Sequence, residues 1–165
     1  MKKNELTLAS FNREECKIGF VHLGVGNFHR AHQALYINNY LNKNIDLNWG
    51  ICGINLRKED KEKFNFLKKR NGKYILKTFS TSGEEKFFEI QSIKKLIDWS
   101  DKKNEAEDIL CDPNIEIVTI TVTESGYYIS EDNELNLNLK IVQDNIKKKE
   151  STIIYSYLLS GLKKR

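Results

Sequence analysis

Ten consecutive residues, Gly24 to Gln33, read GVGNFHRAHQ and bring together two glycines, two histidines and an arginine. They follow a short apolar run, and a Gly-x-Gly at the end of such a run is the arrangement that cradles a pyrophosphate. The first glycine allows a tight turn after a strand, and the second lets the backbone approach the phosphates closely. A helix beginning there adds unpaired N–H groups and the positive end of its dipole. Gly24 and Gly26 fit these two jobs, with Val25 between them and Asn27, Phe28 and His29 forming the first helical turn. His29 and Arg30 are expected to line the phosphate end of the site, with Arg30 available to a phosphate oxygen. The third glycine of the usual pattern, which serves close packing of helix on strand, is replaced by His29, so the helix is expected to stand away from the strand or to rotate. A ligand-free strand-to-helix turn has the same spacing, and Arg30 could equally sit on a solvated surface.

His22, His29 and His32 fall within eleven residues, which raises the question of a zinc site. His22 belongs to a strand interior, whereas His29 and His32 belong to the following helix, and no nearby Cys, Asp or Glu completes a ligand set. No metal is expected. Cys16, Cys52 and Cys111 are odd in number and widely spaced, which predicts reduced thiols in place of a disulfide framework. The 27 basic and 23 acidic residues give a net charge of +4, and the lysines are dispersed among acidic residues and asparagines. Such a surface does not predict a nucleic-acid partner, which calls for clustered, arginine-richer charge. No apolar run approaches the roughly 18 residues of a membrane span, and the N-terminus lacks the apolar core of a secretory signal, so no membrane partner and a cytoplasmic location are expected.

These side chains need elements to hold them. Apolar periodicity predicts a strand over Lys17 to Leu23, a helix from Phe28 to Leu41, a second buried strand in LNWGICGINL and a charged helix from Lys58 to Lys69. GKYILKTFSTSGEEKFFEIQSI reads as two β-prone runs forming a hairpin. A helix over Asp101 to Leu110 stops before Pro113 and Asn114. IEIVTITVTESGYY is the strongest strand, its Ile and Val content suited to the buried centre of a sheet. NELNLNLKIVQDNI alternates like a strand and repeats like a helix, and its length favours helix. A last amphipathic helix carries Ser151 as a candidate cap and a basic final turn. The order predicts an α/β fold: a partial doubly wound, mainly parallel sheet with flanking helices and a β-hairpin insertion, in one domain over residues 1–165.

Read whole, GVGNFHRAHQALY resembles the GxGxFHRAHQ signature of the polyol-specific long-chain dehydrogenases, the mannitol 2-dehydrogenase family. WGICGINLRKED resembles that family's second strand and turn, and IVTITVTESGYY its strand ending in a Thr-Glu-x-Gly-Tyr loop. The resemblance implies a Rossmann domain that binds NAD(H), with Glu59 and Asp60 beside the adenosine ribose, where a carboxylate accepts hydroxyl hydrogen bonds and repels a 2′-phosphate. Arg57 and Lys58 work against that discrimination, and an acidic first helical turn is the plain alternative for the two carboxylates. Thr123 and Glu124 are expected near the cofactor, because open α/β sheets bind ligands at the carboxyl ends of their strands. The family also includes fructuronate and tagaturonate reductases and arabinitol dehydrogenases; ICGINLR favours the mannitol branch. Its catalytic KxxxxNxxH motif lies in a separate helical C-terminal domain and is not found in this sequence, so no catalytic residue is assigned. The resemblance therefore implies an incomplete cofactor-binding domain. A stand-alone, catalytically inactive nucleotide-binding or interaction module is the alternative.

Overall fold

A computed structural model describes residues 6–43, 46–148 and 152–163. Four strands form a parallel sheet in the order β6 (Ile93–Asp98), β3 (Gly50–Asn55), β2 (Ile18–Leu23), β7 (Ile117–Ile120). Strands β3 and β6 lie on one side of β2 and β7 on the other, so the winding reverses at β2. This is the arrangement of a doubly wound Rossmann-type sheet, and the chain leaves β2 at the switch point where ligands bind. A smaller sheet stands apart: β4 (Tyr74–Phe79) and β5 (Glu85–Ile90) form the expected antiparallel hairpin, and β1 (Leu6–Thr7) adds in parallel to β5.

All six residues of β3 are buried, as a strand covered on both faces must be. Alternation along β2 and β3 sorts their side chains into two cores. Val21, Leu23, Cys52 and Ile54 pack with Ala106, Leu110 and Tyr157 from α4 (Lys103–Cys111) and α6 (Ile154–Leu162). Phe20 and Ile51 pack on the other face with Ala34 of α2 (Gln33–Leu41), Leu67 of α3 (Lys61–Lys69) and Ile90 of the hairpin. At Gly161 a Cβ would stand 2.9 Å from Leu110 Cβ, so the glycine lets α6 close on α4. Cys16, Cys52 and Cys111 are free thiols.

Three expectations are corrected. The helix expected from Phe28 to Leu41 is two helices, α1 (Asn27–Ala31) and α2, divided at His32, where φ is −119° and ψ −77°. Strand β7 is not central: among the described residues it pairs only with β2, and Ile117 is 37% exposed. Val118 and Ile120 are partly buried against the core that holds Val21 and Leu23. Strand β6 went unrecognised because Lys94 and Lys95 interrupt the apolar run. Both snorkel, Lys94 donating to the Arg13 carbonyl and Lys95 pairing with Glu105 at 2.9 Å. The ambiguous NELNLNLKIVQDNI does carry a helix, α5 (Lys140–Lys148), although it starts only at Lys140. The Ser151 cap falls outside the described residues, and α6 is instead opened by Ser156 Oγ accepting the Ile153 N–H at 3.2 Å.

Gly72 ends the turn between α3 and β4 at φ +78°, and a Cβ there would lie 2.3 Å from the Ile93 carbonyl oxygen; Gly83, in the hairpin turn, has φ +81° with open space around it. Gly83→Ala should therefore cost about 1 kcal/mol, the left-handed penalty alone, and Gly72→Ala at least about 2 kcal/mol more because backbone must move. Urea unfolding of the two variants measures the difference.

Candidate dinucleotide site

The glycine turn is shaped by different needs at its two glycines. Gly24 takes φ +96°, a conformation that L side chains avoid, and a Cβ would approach the Thr121 carbonyl oxygen to 3.1 Å. Gly26 has φ −84°, open to any residue, and a Cβ there would meet nothing within 4 Å. Fold geometry demands the first glycine and leaves the second unexplained, so the space in front of Gly26 is what its missing side chain preserves. Val25 packs back over Gly53 of β3, where a Cβ would come within 2.7 Å of Val25 Cγ2.

Beneath the turn lies a buried polar network. The ring of His29 is fully buried and stacks on His22 of β2 with centroids 3.8 Å apart. His22 Nε2–H donates to the Gly24 carbonyl at 2.9 Å, which leaves Nδ1 to accept from the Thr119 hydroxyl at 2.8 Å. Thr119 accepts from Gln33 Nε2 at 3.1 Å, and Gln33 Oε1 accepts from His29 Nδ1–H at 2.8 Å. The relay joins β2, β7, α1 and α2 and fixes one tautomer on each ring. His29 Nε2 is left buried without a partner. The imidazole therefore does not line a phosphate site, contrary to the placement expected for it; only its backbone belongs to the first turn of α1. It fills the gap where a third glycine would have allowed backbone contact. Burial lowers His22 to about 4, and burial together with the neighbouring His22 lowers His29 to about 3.

A cavity of about 230 Å³ opens beside the turn, lined by Val25, Gly26, Asn27 and Arg30 on one side and by Arg57, Asp60, Lys63, Phe64 and Leu67 on the other. The structure thus joins the glycine turn to the segment after β3, two stretches thirty residues apart. Arg30 donates to Asn27 Oδ1, while its Nε is buried and unpartnered. Tyr74 of the hairpin donates to the Arg30 carbonyl at 2.6 Å, tying the small sheet to α1. Burial raises the Tyr74 phenol, so it stays a donor. Glu59 and Asp60 form a short 3₁₀ turn with Lys58, and both approach Arg57 Nε at 3.7 Å. Asp60 lines the cavity and Glu59 does not. Phe28 is 64% exposed, stacked on His32. Thr123 and Glu124 are exposed beyond β7, outside the cavity lining, with Thr123 Oγ1 3.1 Å from Ser125 Oγ.

Two supporting residues escaped the sequence reading. Asn55 Nδ2, at the end of β3, donates to the Arg57 carbonyl and to Asp98 Oδ2, both at 2.9 Å. Burial would raise Asp98, but hydrogen bonds from Ser100 and Asn55 prevail and hold it below the ordinary carboxylate range. The available signal was a polar residue closing the apolar run of β3 at its carboxyl end; β6, broken by Lys94 and Lys95, offered none. Among the described residues no group of three His, Cys, Asp or Glu could hold a metal ion, and no helix is long and apolar enough to cross a membrane.

A family model for the mannitol dehydrogenase Rossmann domain matches residues 18–165. The chain belongs to this family. A D-arabinitol 4-dehydrogenase of Klebsiella pneumoniae is 33% identical over 146 residues, and a mannitol 2-dehydrogenase of Phaeosphaeria nodorum 30% identical over 165. The alignments cover 88% and 97% of this chain and 32% and 28% of those proteins, so the mannitol dehydrogenase domain seen here spans about a third of its relatives' length. Among solved structures, the Pseudomonas fluorescens mannitol 2-dehydrogenase ternary complex with NAD and D-mannitol superposes with a TM-score of 0.89 at 30% identity, over 98% of this chain and 33% of that one.

The buried histidines give this family domain an acid-sensitive stability. Because both rings are held below the ordinary 6.5, their contribution is complete above pH 6.5 and drains as pH falls toward 4, where the unfolded chain takes up protons that the fold refuses. Each ring should cost on the order of 2 kcal/mol by pH 5 relative to pH 7. Urea midpoints measured across that range should fall in the parent and fall about half as steeply in His29→Gln, where the His22 contribution remains, and neither ring should titrate by NMR above pH 5.

Proposed function

We propose that the chain is the NAD(H)-binding part of a polyol dehydrogenase of the mannitol type, interconverting a sugar alcohol and a ketose. A hexuronate reductase of the same family is the neighbouring possibility. The observation that carries the reading is Gly26: an L residue fits its backbone and nothing in the fold occupies its Cβ position, yet the space opens into a cavity that ends at Asp60. A pyrophosphate that must approach the main chain accounts for a glycine there. Arg30, which lines the same cavity, adds a cation of the right charge.

The residues have separable tasks under this reading. Gly24 makes the turn, Gly26 keeps it bare, and the backbone N–H groups of Asn27, Phe28 and His29 face the phosphates, with Val25 holding the loop on β3. Arg30 offsets the phosphate charge. Asp60, with Glu59 at the rim, accepts hydrogen bonds from ribose hydroxyls, and Asn55 and Asp98 fix the backbone that carries them. Thr123 and Glu124, at the carboxyl end of β7, border the side on which the nicotinamide half would lie. A nicotinamide dinucleotide supplies hydride exchange at an alcohol or carbonyl carbon. The alcohol proton needs a base, and none of the residues lining the cavity is assigned that part. We assign that task to the part of the full-length relatives that this chain does not span.

Fluorescence titration with NADH tests the assignment. Gly26→Val should weaken binding at least tenfold while keeping the parent's urea midpoint within error, because its backbone is unstrained. Equal affinity in parent and variant would remove the phosphate-cradle assignment. Mannitol turnover should be absent from the isolated chain and appear only when the remaining part of a family member is supplied; turnover by the chain alone overturns its catalytic incompleteness.

A further inference from the structure

We infer that Arg57 and Lys63 relax coenzyme selectivity, so that the cavity admits a dinucleotide carrying a 2′-phosphate, NADP(H), as well as NAD(H). This rests on the dinucleotide reading of the site. Discrimination against a 2′-phosphate depends on a carboxylate whose charge is available at the ribose end. Here cations stand beside that charge. Arg57 Nε stands 3.7 Å from Glu59 and from Asp60, one guanidinium shared by both carboxylates.

The cavity lining contains three cations, Arg30, Arg57 and Lys63, against the single carboxylate of Asp60. Arg30 belongs to the glycine-turn side, with its Nε unpartnered. Arg57 and Lys63 belong to the opposite side, where Asp60 marks the ribose. Lys63 makes no salt bridge among the described residues. The Arg57 side chain is 70% exposed and its carboxylate partners 74% and 49% exposed, so these pairs are weak, solvated contacts that exchange readily for a stronger acceptor. A phosphate dianion offers bidentate acceptance to the guanidinium and a point charge to the ammonium. Asn55 holds the Arg57 carbonyl at 2.9 Å, so the main chain is fixed while the side chain is free to turn from carboxylate to phosphate.

The test is titration of the chain with NADH and NADPH in parallel at low ionic strength, with Arg57→Leu and the Arg57→Leu, Lys63→Met pair. The parent should bind NADPH within tenfold of NADH. The double variant should lower the NADPH-to-NADH affinity ratio at least tenfold, and added salt should weaken NADPH more than NADH. If NADH binds and NADPH is more than tenfold weaker in the parent, or if the ratio is unmoved in the double variant, the inference is overturned and the dinucleotide reading stands. Should neither dinucleotide bind, the reading itself fails and this inference falls with it. Far-UV circular dichroism and urea midpoints of the surface variants show that a changed ratio does not come from misfolding.

Discussion

Two neutral imidazoles stacked 3.8 Å apart carry the approach of the first helix to the first core strand, and much of the site's geometry hangs on them. A glycine at position 29 would let backbone meet backbone. The histidine instead fills the interval with a ring, and that ring needs somewhere to put its polar atoms. The relay through Gln33 and Thr119 to His22 satisfies three of the four ring nitrogens and ends on the Gly24 carbonyl. The same hydrogen bonds that make the pair tolerable in the core therefore set the glycine turn. Charging either ring would bury an uncompensated cation, which is why neutrality is the condition of the arrangement.

The helix on this pair is also held from the outside. Tyr74 donates from the hairpin sheet to the Arg30 carbonyl, and Arg13 reaches across to the carbonyls of Asn71, Gln91 and Ile93 around the start of β6. The small sheet thus braces the mouth of the cavity while its own β4 edge stays exposed. Asn55 and Asp98 do the corresponding work at the ends of β3 and β6, where a carboxylate and an amide fix the loop that carries Arg57, Glu59 and Asp60. Opposite lips of the cavity rest on different supports.

Much of this was legible in the residues. Gly24 and Gly26 after an apolar run, the apolar run of β3 and the Gly-containing hairpin turn each announce their element through local rules of backbone freedom and periodicity. What stayed hidden depended on partners distant in sequence. Lys94 and Lys95 look like surface residues until Arg13 and Glu105 are seen to receive them, so β6 does not read as a strand. His29 looks like a ligand-facing histidine because a sequence shows polarity but not direction; only the position of His22 turns its ring inward. The density of Ile and Val in β7 suits a strand covered on both faces and paired on both edges, yet Ile117 is exposed, Val118 and Ile120 are only partly buried, and among the described residues the strand pairs on one edge.

Gly24 and Gly26, two residues apart, answer to different selective pressures. Gly24 is required by the folded chain itself, through its φ of +96° and the Thr121 carbonyl beside it, whereas Gly26 satisfies no demand of the fold. In a lineage that kept this domain as a scaffold and stopped binding ligand, position 26 would be among the first to drift and position 24 among the last to change. Under the dinucleotide reading, position 26 is where a loss of ligand would first leave its trace.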